Sequence, residues 1–173
     1  MTSPLLAKAK REGREIVNVT PERAGWTHVG FRALRLSAGD SEALDTGARE
    51  LCVVVLAGKV DVQAGGQSFA NLGTRTQVFD DSAPDAVYVP SNQHAPIRAT
   101  RDAEVALCSA PCDAAPCDAA PCDAAPRQIK RLDPASMRRS TRGQGSNTRF
   151  ICDVLPHDDP TAAHLLVVEV RTP

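Results

Sequence analysis

Little in this sequence reaches toward a large polyanion or a lipid phase. Its 20 Lys and Arg stand against 21 Asp and Glu, for a net charge of -1, and its pI is near 6.4. That balance gives no general attraction to nucleic acid or to an anionic membrane. No apolar run approaches the ~18 residues that a membrane-spanning helix needs. The opening stretch MTSPLLAKAKREGREIV carries lysines and arginines with no apolar segment after them, so it does not resemble a secretory signal. A cytoplasmic location is therefore expected. The six cysteines, an even set that would suggest disulfides in an exported chain, are then expected to be reduced thiols. Cys52 and Cys108 lie within apolar runs and read as small buried hydrophobes.

The common catalytic signatures are also missing. No Gly-rich loop follows a strand and opens a helix, as phosphate binding requires. No serine sits in a nucleophile elbow. His28, His157 and His164 are isolated, with no His-x-His or His-x-x-x-His pair among them, and a lone His is more often a surface or satisfied residue than a ligand. Cys112, Cys117 and Cys122 recur at every fifth residue, unlike the Cys-x-x-Cys pairs of common zinc sites. The basic residues Arg127, Lys130, Arg131, Arg138 and Arg139 lack the interleaved aromatics on which bases stack. They read as a solvated or anion-facing connector.

What the chain does contain is strand pattern. EIVNVT over Glu15 to Thr20 is short and β-branched, and Pro21 ends it. A strand over Trp26 to Leu36 follows, then a turn at Gly39-Asp40 and a short strand over Ser41 to Asp45. LCVVVL over Leu51 to Leu56 is apolar on both faces, which places it at the centre of a closed or stacked sheet. Gly65-Gly66 predicts a tight hairpin. Val78-Phe79, Val87 to Val89, Ile97 to Ala99 and Val105 to Leu107 supply further short strands at the spacing of an antiparallel sandwich or barrel. No segment before Ser109 has sustained helical periodicity. From 111 to 125 the chain repeats Pro-Cys-Asp-Ala-Ala three times, with no apolar face and prolines that deny ladder hydrogen bonds, so a mobile linker is expected.

The densest set of polar recognition groups lies in RGQGSNTRFICDVLP, Arg142 to Pro156. Gly143 and Gly145 allow positive φ. Arg142 and Arg149 offer planar forks suited to a carboxylate, and Asn147 can donate and accept. Phe150, Ile151, Val154 and Leu155 then read as a strand that Pro156 ends, and HLLVVEV over His164 to Val170 as another. The plainer reading of the polar residues is a loop capped by two solvated arginines.

RGQGSNTRF, DVLP and LLVVEVRTP, with KREGREIVNVTPERAGW, VVVLAGKVDVQAGGQSF and AVYVPSNQH upstream, resemble in order the 5-deoxy-glucuronate isomerases of inositol catabolism, a family with two cupin barrels. The resemblance covers nearly the whole chain apart from the repeat. It implies an all-β protein with a cupin (RmlC-like jelly-roll) barrel, one complete barrel plus the first strands of a second. It also implies aldose-ketose isomerisation of 5-deoxy-glucuronate to 2-deoxy-5-keto-gluconate, a small anionic sugar-acid substrate, and a divalent metal in the second cupin, beyond Pro173. The expected layout is an N-terminal cupin over 14–109, a low-complexity linker and basic connector over 110–141, and the opening strands of the second cupin over 142–173. Arg142, Asn147 and Arg149 match the family's pattern. Two roles are open for them, binding an anionic sugar or fixing the junction between barrels, and the second is favoured because such residues cap and position strand entries.

The first cupin motif, Gly, five residues, His-x-His, three or four residues, Glu, six residues, Gly, fits at its two ends, Gly39 and Gly58. Asp45 and Gly47 stand in the histidine places and Leu51 in the Glu place. The second motif can be laid on Pro90, with Ala95 in its histidine place. His94 is one residue early, which turns its imidazole away from the interior of a regular strand. One carboxylate is too few for a metal site that needs three or more protein ligands, so no metal is expected in the first barrel and little isomerase activity in this chain alone. A second reading is a non-catalytic cupin used for binding or assembly, with Phe150 to Leu155 and Leu165 to Val170 pairing with another chain, for instance in a homo-oligomer.

Overall fold

The computed structural model describes residues 6–112 and 127–173. The expected mobile repeat falls mostly on residues outside these, as do Cys117 and Cys122. The described chain runs β1 (Glu15–Val19), a one-turn helix α1 (Pro21–Ala24), β2 (Gly30–Leu36), β3 (Ser41–Glu42), β4 (Arg49–Ala57), β5 (Val60–Ala64), β6 (Gln67–Leu72), β7 (Asp85–Val89), β8 (Ile97–Ala99) and β9 (Ala103–Pro111). After the repeat come β10 (Lys130–Leu132), β11 (Arg138–Arg142), β12 (Arg149–Leu155) and β13 (Val167–Arg171).

Three antiparallel sheets result: β1-β2-β9-β4-β7-β10, β3-β8-β5-β6, and β11-β12-β13. The first two face one another, and residues alternating along each strand meet between them. Leu34, Leu36, Leu51, Val53, Val55, Val87, Val89, Val105 and Leu107 from the larger sheet pack on Val60, Val62, Leu72 and Ile97 from the smaller one. The expected complete barrel is thus corrected to an open jelly-roll sandwich, whose two sheets share a core but no hydrogen-bonded seam. β4 is central, between β9 and β7, and is buried on both faces as its unbroken apolar run requires.

The other face of the large sheet is covered as well. Cys52, Val54, Ala86, Tyr88 and Ala106 pack there against Cys152, Val154, Leu155, Leu165 and Val167. The third sheet therefore lies on the back of the sandwich. Residues 110–141, expected to connect the two parts, contain β10, which extends the large sheet alongside β7, and most of β11, which pairs with β12.

Element limits depart from the sequence expectation where polar groups capture the backbone. The expected strand at Val78-Phe79 is a turn with Phe79 72 % exposed. There the Asp80 carboxylate accepts from the Thr76 N–H at 2.7 Å, the Thr76 hydroxyl at 2.8 Å and the Gln77 N–H at 3.2 Å, which winds the chain back on itself. The same bonds hold the Asp80 pKa at about 2. Trp26 to Val29 stays outside β2, with the Trp26 indole donating to the Val29 carbonyl at 2.6 Å. The Gly65-Gly66 hairpin forms as expected: Ala64 pairs with Gln67, and both glycines take the positive φ of a two-residue turn.

Candidate functional site

The hairpin from β11 to β12 assembles the three predicted recognition residues. Arg142 ends β11 directly opposite Arg149, which opens β12. Between them Gly143 takes φ +82, and a Cβ there would lie 2.2 Å from the Asn147 carbonyl oxygen, so the tight return needs glycine. A single 3-10 turn at Gly145–Asn147 completes the loop, held by Asn147 N–H to Gln144 O at 3.1 Å and the Thr148 hydroxyl to Gly145 O at 2.8 Å. Arg142, Asn147 and Arg149 are all exposed.

Two guanidinium groups directly across a strand pair repel one another. Other arginines of this region are neutralised: Arg138 by Asp158 at 3.0 Å, and Arg131 by Asp85 at 2.9 Å. Among the described residues neither Arg142 nor Arg149 has a carboxylate within ion-pair distance. By the strand alternation, Ser140, Ile151, Val168 and Val170 share their face of the sheet. That face is open, with Val170 49 % exposed. The arrangement offers paired positive forks at the end of a short apolar floor, which suits a small anion carrying a carbon skeleton.

The positions that match cupin metal ligands behave differently. Leu51 and Ala95 belong to the aliphatic core. His94 faces outward, as its offset predicts, and its Nδ1 lies 2.7 Å from Asp45 Oδ1 in an exposed pair. Among the described residues no three His, Cys, Asp or Glu side chains converge as metal ligands. The motif positions of this sandwich, with Leu51 and Ala95 in its core and His94 outside it, do not form a metal-ligand set.

Sequence reading missed Glu50. Like His94 it lies one residue before a motif position, and the alternation of β4 therefore turns it to the back of the sandwich, where it is 0 % exposed. Its carboxylate accepts from the backbone N–H of Ala163 at 2.8 Å, His164 at 2.7 Å and Leu165 at 2.6 Å, and from the Tyr88 hydroxyl at 2.8 Å. Burial pushes its pKa up, but the three backbone donors and the phenol outweigh burial, and the pKa ends below the ordinary Glu value. β13 begins only at Val167, later than the run from His164 suggests, because the preceding N–H groups go to Glu50. The one available signal was a carboxylate at the start of a strand with both faces apolar, since a buried charge there must be partnered.

A second buried tie is Arg75. It donates to Glu169 on β13 at 2.8 and 3.1 Å and to the Ser82 carbonyl at 2.7 Å. Glu50 and Arg75 anchor the third sheet to the sandwich at two points, and so set where Arg142 and Arg149 stand.

Comparison with known proteins agrees with this architecture. The KduI/IolB family profile matches residues 5–173. A 5-deoxy-glucuronate isomerase of Halalkalibacterium halodurans is 40% identical over 177 residues, covering 98% of this chain and 61% of that protein. One from Geobacillus thermodenitrificans is 36% identical over 162 residues, covering 94% of this chain and 55% of that protein. The crystal structure of an IolB-like protein from Salmonella typhimurium superposes with a TM-score of 0.85 at 33% identity, covering 96% of this chain and 59% of that one. The chain thus spans little more than half the length of these relatives. With a family match along nearly its whole length, the chain belongs to the KduI/IolB family.

Proposed function

We propose that this chain acts in the aldose-ketose isomerisation of 5-deoxy-glucuronate to 2-deoxy-5-keto-gluconate, and that the open face of the β11-β12-β13 sheet takes the sugar acid. The reading rests on the family and on one observation: Arg142 and Arg149 oppose each other with no acidic partner among the described residues. A substrate carboxylate between the two forks relieves their repulsion and accepts charge-assisted hydrogen bonds. Asn147 supplies a donor and an acceptor for hydroxyl groups, and Ile151 and Val170 offer an apolar surface to the carbon chain. Isomerisation itself moves a proton between adjacent carbons through an enediol-like state, which calls for a general base and a group that polarises oxygen. The family resemblance puts a divalent metal in that second role, in a second cupin, and the described residues of this chain supply binding groups rather than that pair.

The test is titration of the 173-residue protein with 5-deoxy-glucuronate, followed by NMR. Arg142→Gln and Arg149→Gln should each weaken binding about tenfold or more, the value of a charge-assisted hydrogen bond of ~1.5–3 kcal/mol. Unchanged affinity in both variants would remove the site. Turnover by the same chain with a divalent metal supplied is expected to be small, and substantial turnover would place the catalytic groups within these residues.

The exposed Leu166, Val168 and Val170 favour a second reading, an assembly role in which β13 or its face joins another copy. Light scattering that shows a monomer across a wide concentration range would eliminate it.

A further inference from the structure

The face of the third sheet opposite Arg142 and Arg149 meets the loop that follows β6. Between them lies a cleft of about 450 Å³ whose walls include Arg139, Thr141, Phe150 and Arg171 from the sheet and Asp81 from the loop. Its floor is rigid, because the Arg75 fork is locked onto Glu169 beneath it. Arg171 donates to the Phe79 and Asp80 carbonyls at 3.1 Å each, and its guanidinium carbon sits 5.9 Å from the centre of the Phe150 ring. Arg171 is thus fixed by contacts other than Asp81. Arg139 is not: its one bonded partner among the described residues is Asp81.

Asp81 is an unusual partner for two arginines. Its side chain is 81 % exposed, and Arg171, at 2.7 Å, and Arg139 both bind the same oxygen, Oδ1. An arginine fork is built to grip both oxygens of a carboxylate. Here neither does, and the second oxygen and two nitrogens of Arg139 have no partner among the described residues. The bonds from Arg171 and then Arg139 lower the Asp81 pKa, so the carboxylate is charged near neutral pH. An exposed surface pair of this kind contributes little stability. Beside it stand the half-exposed Phe150 ring and the hydroxyl of Thr141.

We propose that this cleft is a second ligand site, for a small hydroxylated carboxylate, in which Asp81 is a tethered stand-in for the ligand's own acid group. The ligand's carboxylate displaces Asp81 and grips Arg139 and Arg171 with both oxygens, Phe150 lies against its carbon chain, and Thr141 meets a hydroxyl. The site is separate from the Arg142–Arg149 pair, since the two lie on opposite faces of one sheet.

Removing the tether should open the site. In the 173-residue protein, Asp81→Ala should bind glucuronate at least tenfold more tightly than the unaltered chain by calorimetry, with shifts in the amide signals of Thr141 and Phe150. Arg139→Gln added to Asp81→Ala should abolish the gain, whereas Arg142→Gln added to it should leave the gain intact. Equal affinity of Asp81→Ala and the unaltered chain overturns the proposal, as does a gain that survives Arg139→Gln or is lost with Arg142→Gln. Inorganic phosphate and acetate are the comparison arms: binding of either as tight as glucuronate overturns the assignment to a hydroxylated carboxylate. If Asp81→Ala does not fold, Asp81→Asn, which keeps the side-chain shape without the charge, carries the same comparison.

Discussion

Between the two sheets of the sandwich the inward positions are aliphatic, whereas the junction of the sandwich with the third sheet is crossed by charged groups. Leu34, Val53, Val62 and Ile97 fill the first. Glu50 and Arg75 with Glu169 cross the second. Aliphatic packing is non-directional and asks only for the right volume in the right alternation. Buried carboxylates with several donors are the reverse: they specify one register and one angle, and are costly when a partner is lost. The sandwich is held by burial and the third sheet is aimed by hydrogen bonds.

Glu50→Ala should be the strongest challenge to that contrast. It leaves three backbone N–H groups and the Tyr88 hydroxyl without their acceptor, a loss of about 3–5 kcal/mol for a broken buried network. Denaturant unfolding should show the third sheet detaching before the sandwich melts, and a single transition shifted as a whole would show instead that the two regions are one cooperative unit.

Acid should do reversibly what the substitution does permanently. The native pKa of Glu50 is below its ordinary 4.5, so its contribution is complete above about 4.5 and is lost as the pH falls through the lower native value. Chemical shifts of the Ala163, His164 and Leu165 amides followed by NMR should move in that window in the unaltered protein. A Glu50→Gln variant should show no such step.

Ile97→Val removes one methylene from the aliphatic core and should cost about 0.5–1.5 kcal/mol while leaving those three amide signals in place. Displacement of the amides by this variant would erase the distinction between a packed region and an aimed one.

The mildest effect is on thiol chemistry. Cys52 and Cys108 face each other across β4 and β9 on the junction side. Burial, then the neighbouring thiol, drives the Cys52 pKa well up, and burial pushes Cys108 up to about 11. Because the thiolate is the reactive form, both should resist iodoacetamide at pH 8 in the native protein, as read by mass spectrometry. Labelling should quicken in Glu50→Ala but not in Ile97→Val.

Much of the sandwich was legible because alternation and turn chemistry are local. The runs at Leu51, Val87 and Ile97, and the Gly65-Gly66 hairpin, each declare their structure within a few residues. The openness of the sheets was not legible, since strand spacing is the same in a sandwich and a barrel. Val78-Phe79 misled because two apolar residues were weighed above the Asp80 carboxylate that winds the loop. At the candidate site, Arg142, Asn147 and Arg149 could be named from the sequence, but their lack of acidic partners could not, because pairing depends on residues distant along the chain. Glu50 and Arg75 were missed for the same reason: the groups they hold lie 113 and 94 positions away.

β4 gives its odd-numbered side chains to one core and its even-numbered ones to another. Inserting or deleting a single residue within it would exchange the two sets at a stroke, thrusting a carboxylate among the aliphatics and stranding the amides it serves. This strand should therefore accept conservative replacement at many points yet reject any change of length, a constraint far stricter than that on the loops at either end.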